Sequence, residues 1–160
     1  MITALIITLN EARNIGSCLE SLQGLADEVL IIDSGSTDET EQICREMGAT
    51  FISRAWEGYA KAKNFANAQA RFPFVLSIDA DEVLSPELKA SILAVKPQLK
   101  GAYRFARLTD YAGKAVRHGG WYPDWKVRLF PKGEANWEGD FVHERLVLSP
   151  GLETQTLQGD

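Results

Sequence analysis

Phe74-Val75-Leu76-Ser77-Ile78-Asp79-Ala80-Asp81-Glu82 is the stretch on which the reading of this chain turns. A short apolar run of this kind fits a strand buried on both faces, and it stops abruptly in three acids. Two carboxylates at i and i+2 just past such a strand can turn toward one ligand where the strand gives way to a loop. Their hard oxygens suit Mg²⁺ or Mn²⁺. By composition alone a D-x-D triplet also arises by chance about half a time in a chain this long, so its place at a strand end matters more than its letters.

Working outward, two further apolar runs end in polar residues. Ile2 to Thr8 stops at Asn10-Glu11, and Val29-Leu30-Ile31-Ile32 stops at Asp33-Ser34-Gly35-Ser36-Thr37-Asp38. Between them Ile15, Cys18, Leu19 and Leu22 recur at helical spacing, with Asn10 expected as N-cap and Gly24 as stop. The spacing predicts further helices around Ile43 and Met47, from about Tyr59 to Ala70, and from Pro86, with a brief strand at Phe51-Ile52. Strands alternating with helices argue an α/β fold with a parallel sheet and right-handed crossovers. In such sheets ligands sit beyond the carboxyl ends of the strands. After about Gly101 aromatic residues separated by Gly, Pro and charges predict strands and loops. The expected organisation is one domain over 1–160, with a nucleotide-binding half of about 1–100 and an acceptor or catalytic half of about 101–160.

The 160 residues are 45% apolar with a net charge of −5, enough for a core without disulfide or metal support. The acidic balance argues against a nucleic-acid partner. Cys18 and Cys44 form no CxxC pair, and two cysteines with two histidines do not make a zinc site. No apolar run reaches the length of a membrane span, which points to the cytoplasm, with membrane contact confined to the surface.

Several residues carry alternative readings. Asp33 is either a hydrogen-bond acceptor for a base or ribose or a turn residue, with Ser36 or Thr37 capping the next helix. Neither GxGxxG nor GxxxxGK[ST] is present, so dinucleotide oxidoreductases and P-loop proteins lose their main support. Candidate phosphate partners are Arg54, Lys61, Lys63, Arg71, Arg117, Lys126 and Arg128. Lys61 and Lys63 lie on different sides of a helix: either both are solvated or one points into the site with Asn64. His118-Gly119-Gly120-Trp121-Tyr122-Pro123-Asp124-Trp125 is either an aromatic turn or a sugar-binding loop. In the latter, glycines allow close approach, tryptophans offer flat faces and Asp124 takes a proton. His143-Glu144 is a metal or acid/base pair, or simply hydrogen-bonded.

Taken together, Ile-Ile-Thr-Leu-Asn-Glu, Ile-Ile-Asp-Ser-Gly-Ser-Thr-Asp, Trp56-Glu57-Gly58-Tyr59 with Lys61, Lys63 and Asn64, Leu-Ser-Ile-Asp-Ala-Asp-Glu, and His-Gly-Gly-Trp-Tyr-Pro-Asp with Arg128-Leu129-Phe130 resemble family 2 glycosyltransferases. Within that family they are most similar to small bacterial enzymes that add glucose in a β-1,4 link to the lipopolysaccharide inner core.

The resemblance implies a GT-A fold, a Rossmann-like mostly parallel sheet flanked by helices. It also implies a UDP-sugar donor, a glycan or glycolipid acceptor, a divalent metal (Mg²⁺ or Mn²⁺), inversion at the anomeric carbon, and a cytoplasmic location with peripheral contact at the inner membrane. Carried onto this chain, Thr8, Asn10 and Glu11 line the nucleotide pocket, Asp33 holds uracil or ribose, and Lys63 and Asn64 lie near the nucleotide. Asp79 and Ala80 contact the donor, with Asp79 on ribose or metal; Asp81 binds the metal, and His143 is a late metal ligand. Gly119 and Gly120 form the donor-sugar loop. Asp124 matches the family's base position, where Pro123 replaces the usual Glu of a Glu-Asp pair, and Glu144 is the rival base. Relatives commonly run on into a His-bearing C-terminal segment, so a truncated or abbreviated enzyme is expected. The competing classes are a nucleotidyltransferase, which would want a Gly-rich loop after the first strand, and a non-catalytic nucleotide-sugar-binding remnant.

Overall fold

A computed structural model describes residues 1–111, 114–116, 122–139 and 144–160. Seven strands form one sheet in the order β11-β5-β8-β4-β1-β2-β3. They are β1 (Ile2–Thr8), β2 (Glu28–Asp33), β3 (Thr50–Ser53), β4 (Phe74–Asp79), β5 (Ala102–Arg107), β8 (Asp124–Pro131) and β11 (Thr154–Thr156). β1 pairs parallel with β2 and β4, and β2 with β3, whereas β8 runs antiparallel between β4 and β5. Two short antiparallel pairs complete the strands among the described residues: β6 (Thr109–Tyr111) with β7 (Lys114–Val116), and β9 (Ala135–Glu138) with β10 (Arg145–Leu148).

Strand parity sorts the core into two layers. Ile2, Ala4 and Ile6 of β1 face α1 (Ile15–Leu22), α2 (Thr40–Glu46) and α4 (Pro86–Val95), through Ile15, Cys18, Leu22, Cys44, Leu88 and Ile92. Leu5 and Ile7 face the other way, onto Ala62 and Ala66 of α3 (Tyr59–Gln69). All seven residues of β1 are buried, as a central parallel strand requires. The chain steps outward from β1 to β2 to β3, then returns across the sheet to β4. With the same handedness for the crossovers from β1 to β2, β2 to β3 and β3 to β4, reversing direction puts α3 on the face opposite α1 and α2. The reversal opens the crevice between β1 and β4, beyond whose carboxyl ends ligands settle in sheets of this kind.

Side chains stitch together the loops at that edge, and here the structure corrects the expected caps. Asn10 is not an N-cap: it adopts a left-handed backbone, φ 56°, which Asn tolerates better than most residues. Its amide oxygen accepts the Thr37 N–H at 2.8 Å. Helix α1 therefore begins a turn later, at Ile15. Ser36 and Thr37 do not cap α2 either, because Ser36 Oγ serves both Asp33 and the Asn10 N–H, and α2 begins at Thr40. Asp38 accepts locally from Thr40 Oγ1 and the Thr40 amide, and across to the loop after β1 from the Ala12 amide. Pro86 opens α4, as the sequence predicts, and the structure adds Ser85 as its N-cap.

Thr40 joins the two loops. It is fully buried, donates to Asp38 at 2.5 Å and accepts the Glu11 N–H at 2.9 Å. Replacing it by the near-isostere valine leaves that amide without a partner, and Thr40→Val is expected to lower stability by about 1–3 kcal/mol. Urea unfolding monitored by circular dichroism measures this, and an unchanged midpoint would show that the stitch contributes nothing.

Candidate functional site

Three strand ends deliver polar side chains to one edge. β1 supplies Thr8, whose buried Oγ1 has no hydrogen-bond partner among the described residues, and then the exposed Asn10. β2 supplies the buried Asp33. One of its oxygens accepts from the amides of Gly35 and Ser36 at 2.8 and 2.9 Å, and the other from Ser36 Oγ. A carboxylate has about four acceptor positions, so Asp33 both shapes its loop and keeps capacity for a ligand donor.

β4 ends at Asp79, and there charges interlock. Lys63 on α3 is only 3% exposed; its ammonium lies 3.2 Å from Asp79 Oδ1 and 3.1 Å from Glu144 Oε1. It also sits over the Trp137 ring, 4.4 Å from the centroid. Of the two lysines at i and i+2, then, Lys63 points inward while Lys61 is exposed. Asn64 does not share that pocket, because its amide pairs with both the N–H and C=O of Trp137 at 2.8 Å and clamps α3 to β9.

On the far side of Asp79, Arg128 donates to Asp79 Oδ2 at 3.2 Å and to Glu82 Oε1 at 2.8 Å. Glu82 closes the loop by accepting the Asp79 N–H. Arg128 was a candidate phosphate cation by sequence, yet it is buried and fully engaged by acids. A bulge aims it: Tyr103 pairs with Leu129 but Arg104 with Val127, so Arg128 has no counterpart on β5, the kind of irregularity that redirects a side chain. Burial alone would raise the Asp79 carboxyl, but the charges of Arg128 and Lys63 hold it below the usual carboxylate range. For Glu82 burial prevails over Arg128, with the Asp79 charge adding to it, and its carboxyl is raised. Behind the loop Cys18 contributes a buried thiol, 3.7 Å from the Asp79 carbonyl. Burial, followed by the Glu82 charge, pushes it up to about 12.

A cleft of about 980 Å³ opens in front of this cluster, lined by Asp79, Asp81, Glu82, Arg107, Asp124, Lys126, Arg128 and Asp160 among others. Asp81 is exposed in it. Asp124 lies at the start of β8, with Arg107 2.7 Å and Lys126 3.1 Å from its two oxygens. Burial alone would raise its carboxyl, but Lys126 and Arg107 together pull it below the ordinary range. Glu144, tied to Lys63, is not among the cleft-lining residues.

Gly119, Gly120 and His143, together with His118 and Trp121, lie outside the described residues. Among those described, no group of three or more His, Cys, Asp or Glu side chains is arranged to hold a metal. Both Asp79 oxygens already face cations, which leaves Asp81 as the open carboxylate of the D-x-D. One carboxylate fits Mg²⁺-like ions, which bind through one or two carboxylates and take their other oxygens from phosphates and water. Glu82 and the Arg128–Asp79 pair were not assigned roles from sequence. Their signal was the third acid of Asp-Ala-Asp-Glu, which a two-carboxylate reading passes over.

Comparison with known proteins agrees with this architecture. Residues 3–100 match the family "Glycosyl transferase family 2". The lipopolysaccharide core biosynthesis glycosyltransferase LpsC of Rhizobium meliloti is 34% identical over 155 residues, covering 91% of this chain and 57% of LpsC. The chain thus spans little more than half of that relative's length. Among solved structures, S. aureus TarS 1-349 superposes with a TM-score of 0.60 at 21% identity, over 82% of this chain and 47% of that one. Glucosyl-3-phosphoglycerate synthase from Mycobacterium tuberculosis, solved with Mn²⁺, UDP and glucosyl-3-phosphoglycerate, does so with a TM-score of 0.54 at 27% identity, over 66% and 43%. The mostly parallel sheet with helices on both faces is the GT-A arrangement of these neighbours, and with the family match over residues 3–100 the chain belongs to glycosyl transferase family 2.

Proposed function

We propose that this chain carries the catalytic centre of an inverting hexosyltransferase. It moves glucose from UDP-glucose to a lipopolysaccharide core or related cell-surface glycan, working in the cytoplasm and meeting a lipid-borne acceptor at the inner membrane face. The observation that carries the reading is the convergence of three parallel strand ends, with Thr8 and Asn10, Asp33, and Asp79 to Asp81, on one edge beside the 980 Å³ cleft. The part LpsC plays in lipopolysaccharide core biosynthesis supports the acceptor class, and the UDP and Mn²⁺ held by the mycobacterial synthase support the donor and the metal.

In this reading the residues divide the work. Thr8, with its unpartnered buried hydroxyl, Asn10, Glu11 and Asp33 receive uracil and ribose. Asp79, held ionised between Lys63 and Arg128, faces the ribose side of the donor, and Ala80 carries the backbone past it. Asp81 would hold the divalent ion, whose chemistry is to draw off charge growing on the departing diphosphate. Gly119 and Gly120 belong to the donor-sugar loop and His143 to the metal side, as the family pattern suggests.

The transfer is a single in-line displacement. The acceptor hydroxyl oxygen forms a bond to the anomeric carbon as the bond to the diphosphate oxygen breaks. Its proton passes to Asp124, and an α-linked donor gives a β-linked product. Asp124 is preferred as the base because it lines the cleft, which Glu144 does not.

Two sets of measurements test this. Asp81→Asn is expected to keep the circular dichroism spectrum and lose Mn²⁺- or Mg²⁺-dependent transfer from UDP-glucose. Metal-stimulated activity at the wild-type level would remove Asp81 from the metal site. Asp124→Asn should lower kcat by roughly 10²- to 10⁴-fold with UDP-glucose affinity nearly unchanged, whereas the same loss in Glu144→Gln alone would move the base to Glu144. Wild-type protein that binds UDP-glucose but never turns it over, given a lipid-core acceptor and metal, would be the non-catalytic remnant.

A further inference from the structure

The cleft divides its charges unevenly. In the inner cluster three acids, Asp79, Glu82 and Glu144, share two cations, Lys63 and Arg128. At the β5–β8 end the ratio inverts, with Arg107 and Lys126 sharing the single carboxylate of Asp124. Arg107 stands opposite Asp124 in register, and Lys126 stands opposite Phe105. Their side chains are 44% and 43% exposed, against 29% for Asp124, so both cations remain reachable from the cleft. Asp160 lines the same cleft at the α4 side, where its backbone meets Ser85 and its carboxylate meets the Tyr122 hydroxyl.

Two cations against one carboxylate leave one positive charge unmatched at this end of a cleft otherwise rich in acids, and that charge is a local site for an anion from outside. The planar fork of an Arg and the point charge of a Lys together suit a phosphate or carboxylate group. The arrangement also bears on Asp124 itself. With both oxygens held by cations it is a poor acceptor for a hydroxyl proton; an incoming anion that takes over Arg107 and Lys126 leaves both cations paired and frees the carboxylate.

We propose that the acceptor is an anionic sugar, one bearing a phosphate or carboxylate, and that Arg107 and Lys126 are the specificity-determining residues that bind its charge. The proposal rests on the reading of Asp124 as the acceptor-side base, but recognition of the anion can be measured without turnover.

The test is calorimetric titration of wild-type protein with glucose 6-phosphate and, separately, with glucose, each with and without saturating UDP. The same titrations are made on Arg107→Gln/Lys126→Gln and on Lys126→Gln alone, in case the double variant fails to fold. With UDP in place, glucose 6-phosphate is expected to bind wild type at least about tenfold more tightly than glucose. That preference should disappear in the double variant and shrink in the single one, at unchanged UDP affinity. Equal binding of the two sugars by wild type overturns the proposal. So does a tenfold loss of UDP affinity in either variant, which would assign these cations to the donor diphosphate. Failure of wild type to bind UDP strikes the donor reading instead, and the titrations without UDP then decide the anion preference by themselves.

Discussion

The ammonium of Lys63, buried at 3% exposure between Asp79 and Glu144, ties the end of β4 to the start of β10. Asp79 ends β4 of the central sheet; Glu144 lies 81 residues further along the chain from Lys63. A buried charge is tolerated only when paired and hydrogen-bonded, and removing one partner of such a pair costs roughly 3–5 kcal/mol. Lys63 therefore demands that the segment before β10 return to α3, and Asn64, one residue on, fixes β9 beside it through both amide bonds to Trp137. Small side chains make the approach possible. Ala62 and Ala66 pack α3 against β1 and β2, bringing the helix axis near the sheet so that the lysine stem reaches the end of β4.

Asp79 is correspondingly less free than a D-x-D motif suggests. Its two oxygens face Lys63 and Arg128, and its N–H binds Glu82, so it is oriented from three sides before any ligand arrives. This preorganisation separates the labour of the motif. The first carboxylate is fixed in a network and the second is exposed to the cleft, an arrangement suited to one rigid contact and one exchangeable ligand. The network keeps an excess of acid, and that excess lies where a cation would be drawn.

Much of the fold was legible because buried parallel strands leave a plain trace: β1, β2 and β4 are apolar runs that stop in polar residues, and the stops mark the edge where the site lies. Pro86 and the Tyr59 helix were readable for similar local reasons. What escaped were contacts whose partners are distant in the chain. Asn10 and Ser36 have the chemistry of helix caps, and only the adjacency of the β1 and β2 loops shows that they bind each other's segments instead. Which of Lys61 and Lys63 turns inward depends on the rotational setting of α3, which its weakly amphipathic, Ala- and Lys-rich sequence leaves open. Arg128 was hidden by the bulge: alternation along a regular β8 does not foresee a residue without a counterpart on β5.

That bulge also explains how one strand serves two ends of the cleft. In the stretch beyond it, Asp124 and Lys126 alternate with Trp125 and pair in register with Arg107 and Phe105, so the charges of Asp124, Lys126 and Arg107 meet one another at the cleft. At the bulge Arg128 turns instead to Asp79 and Glu82. Had β8 remained regular, the register would have opposed Arg128 to a β5 residue, and the acids at the end of β4 would have kept Lys63 as their one cation. Asp79 and Glu82 would then repel each other across a partly buried turn, a situation that raises carboxyl pKa values and favours the neutral form. The extra residue in β8 thus keeps Asp79 ionised, and it does so without drawing on Arg107 or Lys126, which stay with Asp124 at the other end.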